Sequence, residues 1–232
     1  MDRKRVAVLI SGRGSNMAAL AAAAAVPDYP AEVVLVLSSN PTAAGLAIAA
    51  DAGLATAVVD ARGLGDRAAF EAAIDERLSQ AGVDIVCLAG FMRVLSADFV
   101  ARWRNRLINI HPSLLPAFRG LDTHARAIDA GVKVHGATVH FVRAAVDEGP
   151  IIAQAAVPVL GGDTPETLAK RVLAAEHRLY PAALALVAAD RARLVDERVV
   201  IDGAGEDAEV LISPGRAMAP AVARSMSAKG TA

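Results

Sequence analysis

The sequence predicts an α/β fold built on a doubly wound, mostly parallel sheet. Three observations carry that prediction. Unbroken apolar runs at 6–10 and 85–89 read as strands buried on both faces. Helical stretches closed by glycine alternate with such runs, which is the rhythm of β-α-β units. A glycine-rich turn, Ser11-Gly12-Arg13-Gly14, follows the first strand, where sheets of this kind hold their ligands.

Taken in order, a strand at 6–10 is followed by a helix from Ser15 or Asn16 to Ala25. A second strand at 33–37 ends at Ser38-Ser39-Asn40-Pro41, and a helix at 43–52 is closed by Gly53. A short strand at 57–59 precedes an amphipathic helix at 67–81, closed by Gly82, and a strand at 84–89. The pattern changes after Leu107-Ile108-Asn109-Ile110. A helix at 124–130 ends at Gly131, and alternation predicts a strand at 136–142. A further strand at 150–159 follows a hairpin-like turn at Asp147-Glu148-Gly149. This places antiparallel strands in the C-terminal half of a Rossmann-like sheet. A long helix spans 164–187, with Pro181 expected to kink or reset it. Its start is marked by Asp163 or Thr164 with Pro165 and Glu166, although Thr164-x-x-Thr167 makes an imperfect capping box. Residues 195–201 read as an added edge strand. The expected organisation is one domain over 1–202 and a C-terminal extension over 203–232, mobile from Pro214 onward.

Composition narrows the function. Hydrophobic residues make up 54% of the chain, enough for a large core, and aromatics only 3%, so Ala, Val and Leu must do the packing. The net charge of -1 and the absence of a basic patch argue against nucleic acid. A single Cys87, inside an apolar run, excludes an internal disulfide and a cysteine zinc site, and reads as a core residue. The histidine spacings match no metal motif, so no metal is expected. The basic start Met1-Asp2-Arg3-Lys4-Arg5 precedes an apolar run too short for a signal core or a membrane span, and the alanine-rich run at 18–26 is also too short. A soluble, cytoplasmic protein is expected. A homodimer is compatible with this composition, with no face identified.

The most informative stretch is Asn109-Ile110-His111-Pro112-Ser113-Leu114-Leu115-Pro116. In a strand, Asn109 and His111 point to one face, and Pro112 keeps the chain from running on into a helix. An amide donor beside an imidazole suits a carbonyl oxygen that gains charge during acyl transfer. The alternative is a strand end whose polar pair bonds to nearby backbone. The turn at 11–16 is neither a Walker loop nor a dinucleotide G-x-G-x-x-G, because residue 17 is Met. Its position still favours an anion at a helix start, with Gly14, Ser15 and Asn16 as donors, over a plain tight turn. A carboxylate at 147 or 148 lies beyond the strand expected to neighbour Asn109 and His111. A carboxylate there favours a charged imidazole and could accept an amine proton. The pattern does not choose between Asp147 and Glu148. His140 is a supporting group, while His135 and His177 read as structural or solvated.

These residues belong to a longer set. Val8-Leu9-Ile10-Ser11-Gly12-x-Gly14-Ser15-Asn16, Leu88-Ala89-Gly90-Phe91-Met92-Arg93-Val94-Leu95, the 109–116 stretch, Val139-His140-Phe141-Val142 and Asp147-x-Gly149-Pro150 stand in this order. Gly162-Asp163-Thr164 and Ala175-Glu176-His177-Arg178-Leu179-Tyr180-Pro181 follow. Over about residues 5–190 the chain resembles the phosphoribosylglycinamide formyltransferases, the folate-dependent enzymes of purine synthesis. The resemblance implies the formyltransferase fold and transfer of a formyl group from the co-substrate 10-formyltetrahydrofolate to the amine of glycinamide ribonucleotide. By motif, Asn109, His111 and Asp147 match the catalytic residues. Gly14, Ser15 and Asn16 match the phosphate loop, and Glu176 the acid that holds the ribose. The folate pocket is matched by Met92, Arg93, Val94 and Leu95, by Ala144, Ala145, Val146 and Asp147, by Asn109, and less securely by Arg67. Leu115-Pro116 matches a position where the family places a cis proline.

The implied chemistry is direct amine attack. Asn109 and an imidazolium at His111 donate to the oxyanion, and Asp147 keeps the ring charged and receives the amine proton. Two departures from the family pattern stand beside the site: Phe118-Arg119-Gly120 after the Leu-Leu-Pro turn, and Glu148 where relatives often have a small residue. Methionyl-tRNA formyltransferase, formyltetrahydrofolate deformylase and a non-catalytic binding module on the same fold are the competing readings. The first is disfavoured by chain length and charge, the second because the first strand begins near the start of the chain, and the third by the intact polar set.

Overall fold

The computed structural model describes residues 2–202. The extension expected over 203–232 lies outside the described residues. Seven strands form one sheet: β1 (Lys4–Ile10), β2 (Ala31–Ser38), β3 (Thr56–Val58), β4 (Ile85–Leu88), β5 (Leu107–His111), β6 (Val134–Phe141) and β7 (Ile151–Pro158). Their order is β3-β2-β1-β4-β5-β6-β7. The first five pair in parallel, β6 runs antiparallel to β5, and β7 antiparallel to β6. The helices are α1 (Ser15–Ala24), α2 (Ala44–Asp51), α3 (Arg67–Gln80), α4 (Ala97–Arg102), α5 (Thr123–Asp129) and α6 (Pro165–Ala188).

The apolar run of β1 is continuous because both faces of the strand are covered. Val6, Val8 and Ile10 pack in one cluster with Met17 and Leu20 of α1 and Tyr180 and Leu184 of α6. Ala7 and Leu9 face the other way, into Phe70, Ile74 and Leu78 of α3, Phe99 of α4 and Trp103 just after it. Val6 to Ile10 are all fully buried, so cutting Leu9 or Ile10 to Ala would cost about 2–5 kcal/mol. A third cluster joins Ala127 of α5 and Ala137 of β6 to Leu168 and Val172 of α6. Among the described residues no helix is long and apolar enough to cross a membrane.

Three features differ from the sequence reading. The short helix α4 was not foreseen, because six residues show no period. It is set by the Ser96 hydroxyl, which accepts from Phe99 N–H (3.1 Å), while buried Glu71 accepts from Ser96 N–H (2.6 Å). The edge strand expected at 195–201 is instead a separate hairpin, β8 (Ala192–Val195) with β9 (Arg198–Ile201). Its turn residues Asp196 and Glu197 both adopt positive φ (49° and 57°), which the sequence does not advertise with the usual Asn-Gly. Third, α6 runs unbroken through Pro181. Its buried stripe of Leu168, Val172, Tyr180 and Leu184 holds it to the core, and the Pro181 carbonyl accepts from Tyr29 OH (2.7 Å). The capping box closes with threonine in place of the usual acid: Thr164 N–H donates to Thr167 Oγ1 (2.9 Å) and Thr167 N–H to Thr164 Oγ1 (3.3 Å).

Candidate active site

The chain leaves β1 toward β2 on one side, while β4 lies on the other, so the sheet reverses its winding between β1 and β4. Ligands of open α/β sheets bind at such a point. Here the turn after β1 and the segment after β4 are stitched together. Ser11 N–H donates to Gly90 O (3.2 Å), and Met92 N–H to the Ser11 hydroxyl (2.9 Å), which also bonds Ser39 Oγ (2.7 Å). Gly14 caps α1 with φ +76°, and a Cβ on it would stand 2.6 Å from Gly45 Cα. Only glycine meets both demands. No side chain caps α1 there. Asn16 Nδ2 donates to Glu176 Oε2 (2.7 Å) from the first turn of α1, and Asn16 Oδ1 is buried without a partner. Burial pushes the Glu176 carboxyl above its ordinary pKa, against the opposing hydrogen bond from Asn16. Residues 160 positions apart in the chain thus share one corner. Ser15 lies beside them, half-buried.

Ile108 and Ile110 of β5 belong to the α1–α6 cluster, so Asn109 and His111 face the opposite side of the sheet. The connection between β6 and β7 doubles back to meet them. His111 Nδ1 lies 3.3 Å from Asp147 Oδ1, and both side chains are nearly buried. His111 Nε2 contacts the Phe118 carbonyl (3.0 Å). A carbonyl only accepts, so Nε2 carries a proton and Nδ1 is the nitrogen that faces the carboxylate. Gly120 N–H donates to Asp147 Oδ2 (2.8 Å). The choice between the two acids is therefore made by geometry: Asp147 meets His111, while Glu148 pairs with Arg119. The two departures from the family pattern bond to each other.

Asn109 sits directly opposite His140 in the β5–β6 register. Its Nδ2 is 3.2 Å from His140 Nε2, and His140 Nδ1 is 3.1 Å from Phe141 O. Burial holds the His140 pKa below its ordinary value. A neutral ring donating from Nδ1 accepts at Nε2, which orients the Asn109 amide and leaves its second N–H unspent. The loop from 112 to 122 contains the cis Leu115-Pro116 bond.

Of the expected folate segments, Met92, Val94 and Val146 expose 67%, 65% and 56% of their surface, a large amount for apolar side chains. Arg93, Ala144 and Ala145 are also exposed, whereas Leu95 is buried against the α3–α4 cluster. Arg67 is exposed at the first turn of α3. One turn later Phe70 stacks on Phe91 (6.4 Å), which ties that helix to the 90–95 segment. The sequence reading missed this pair, and also the Phe118 carbonyl and Gly120 N–H, main-chain groups that leave no residue-type signal. Behind the loop, His135 meets His124 (5.4 Å) and Phe118 (5.7 Å) edge to face. His177 Nε2 is buried without a partner. Among the described residues no cluster of His, Cys, Asp or Glu could hold a metal ion.

Known proteins resemble this chain in sequence and in fold. The formyl transferase family model matches residues 4–184. Trifunctional purine biosynthetic protein adenosine-3 of Bos taurus is 53% identical over 192 residues, covering 83% of this chain. The chain spans only 19% of the length of that relative. Phosphoribosylglycinamide formyltransferase of Escherichia coli K12 is 40% identical over 85% of this chain and 93% of its own length. The crystal structure of glycinamide ribonucleotide transformylase 1 from Symbiobacterium toebii superposes with a TM-score of 0.83 at 49% identity, covering 86% of this chain and 94% of that one. The chain belongs to the formyl transferase family.

Proposed function

We propose that this chain transfers the formyl group of 10-formyltetrahydrofolate to the amine of glycinamide ribonucleotide, a step of de novo purine synthesis carried out in the cytoplasm. The observation that carries the reading is the convergence of Asn109, His111 and Asp147 at the end of β5. The kinship to phosphoribosylglycinamide formyltransferases supports it. Its partners are the two small-molecule substrates.

The turn from Gly14 to Asn16 takes the substrate phosphate on free N–H groups at the start of α1, where the helix dipole favours an anion. Glu176, already oriented by Asn16, accepts from the ribose hydroxyls. The exposed apolar side chains Met92, Val94 and Val146 cover the pterin. Attack by the amine puts negative charge on the formyl oxygen. Asn109 donates its unspent amide N–H there, and a protonated His111 donates from Nδ1. Asp147 stabilises that cation and takes the proton lost by the amine, directly or through a water; collapse of the intermediate then re-forms the carbonyl and breaks its bond to the folate nitrogen, which leaves as tetrahydrofolate carrying that proton. Donors fixed in advance in this way carry about 3–4 kcal/mol each in comparable sites.

The test is a spectrophotometric assay with a 10-formyl folate and glycinamide ribonucleotide, each omitted in turn. Deformylated folate only when both are present supports the transferase. Loss of formyl without the ribonucleotide would replace it with a hydrolase.

A further inference from the structure

The loop between β5 and α5 touches the His111–Asp147 pair twice, both times with main chain. The Phe118 carbonyl meets His111 Nε2 at 3.0 Å, and Gly120 N–H meets Asp147 Oδ2 at 2.8 Å. Phe118 reaches its position with φ 53°, a region that bulky residues avoid. Something must hold it there, and the contacts converge on Arg126 of α5. Arg126 Nη1 donates to Arg119 O (2.6 Å) and Leu121 O (3.2 Å), the carbonyls on either side of Gly120. Its guanidinium also lies 5.7 Å from the centre of the Phe118 ring. The start of the same helix grips the other end of the loop, through Thr123 Oγ1 to Pro112 O (2.7 Å). An exposed arginine ordinarily faces water or a carboxylate; this one spends its donors on the two carbonyls flanking a catalytic contact.

We propose that Arg126 is a positioning residue. It holds residues 118–121 so that the Phe118 carbonyl fixes the His111 ring with Nδ1 toward Asp147 and Gly120 aims the carboxylate. It acts through the loop and touches no substrate. The inference rests on the formyl-transfer reading for its kinetic consequence, and on the hydrogen-bond geometry alone for its effect on the ring.

The titratable and charged groups around His111 are Asp147 and the Arg119–Glu148 pair on the facing loops, His124 of α5, His135 and His140 of β6, and Glu176 of α6. None of them is removed by a change at Arg126. Arg126→Lys keeps the charge that Arg126→Gln deletes, so a shift in the protonation of His111 that persists in Arg126→Lys reports the altered carbonyl contact.

The experiment compares wild type with Arg126→Gln and Arg126→Lys. Arg126→Gln should lower kcat about tenfold, as a small misplacement of a catalytic group does. KM for glycinamide ribonucleotide should stay within about twofold, and the acidic limb of the kcat–pH profile should move. In the resting enzyme, nitrogen NMR of His111 should show Nε2 protonated in wild type, whatever the state of Nδ1, and a partly bare Nε2 in Arg126→Gln. Lysine should restore part of the loss, because an ammonium reaches a carbonyl but lacks the planar fork and the ring contact. Wild-type kcat, pH profile and His111 signals in Arg126→Gln would overturn the proposal. So would a loss of rate that only tracks a smaller folded fraction. Should wild type itself not turn over the two substrates, the formyl-transfer reading fails, and the tautomer measurement decides the role of Arg126 by itself.

Discussion

Asn109 has two amide hydrogens, and one is already given to His140. The other is the donor a developing oxyanion needs, and it is held in direction before substrate arrives. Replacing Asn109 or His111 with Ala should therefore lower kcat about 10²–10³-fold while the melting temperature stays near wild type, checked by steady-state rates beside a thermal melt. A different residue-scale effect belongs to His135. Neither ring nitrogen makes a well-formed hydrogen bond, and burial drives its pKa from an ordinary 6.5 to about 4, helped by the neighbouring His124 and only weakly opposed by the Pro112 backbone. The unfolded chain takes up a proton below pH 6.5 that the folded chain refuses until about pH 4. Stability is thus complete above pH 6.5, is lost as pH falls toward about 4, and levels off below. His124 and His140 are depressed by the same cause and act in the same direction. His135→Leu should be no less stable than wild type at pH 7.5, and should lose less between pH 7.5 and 4.5 in urea unfolding. Equal losses in the two proteins would show that His135 is not the group responsible.

At the scale of elements, the first turn of α1 depends on a backbone conformation more than on a side chain. Gly14 combines φ +76° with an approach to Gly45 that leaves no room for a methyl group. Gly14→Ala should raise KM for the ribonucleotide at least about tenfold and lower kcat much less, because it disturbs binding rather than the reacting groups. A kcat effect alone would place the phosphate elsewhere. The elements that could be read from the chain, and those that could not, divide on similar grounds. Buried parallel strands such as β1 and β4 announce themselves because both faces are apolar. The β8–β9 hairpin does not, since its turn uses Asp196-Glu197, and α4 is fixed by a cap held by Glu71, 25 residues away. The same holds within the site. Asn109 and His111 were legible as a pair because strand geometry alone puts residues two apart on one face. Residue pattern alone did not tell Asp147 from Glu148; the family resemblance chose Asp147, and the doubling back of the connection from β6 to β7 gives that acid to His111 and the other to Arg119. The cis Leu115-Pro116 bond came only with the family resemblance.

For the molecule as a whole, the two main apolar clusters lie on opposite faces of one sheet and share β1, β2, β4 and β5. Neither face can lose its packing without loosening strands the other needs, so the described residues should unfold in one transition. The proposed binding and catalytic groups lie between Gly14 and Glu176. Beyond α6 the chain adds the β8–β9 hairpin, which packs Ala192, Leu194 and Val199 against the core. The hairpin is itself closed by Asp202, whose carboxylate pairs with Arg193 (2.7 Å) and whose carbonyl accepts from Arg191 (2.8 Å). Its turn residue Glu197 takes Arg104 (2.5 Å) and Arg143 (2.7 Å), and Arg143 leads directly into the connection that carries Asp147. We propose on these grounds that folding and catalysis are complete within residues up to Asp202. A chain stopped after Asp202 should melt in a single transition within about 3 °C of the full chain and keep kcat and both KM values within about twofold. A chain stopped after Ala189 loses the hairpin, and should lower kcat through the loosened Asp147 connection while KM for the ribonucleotide changes less. Should removal of residues 203–232 alone raise either KM or split the melting transition, the domain boundary proposed here is wrong and those residues belong to the catalytic unit.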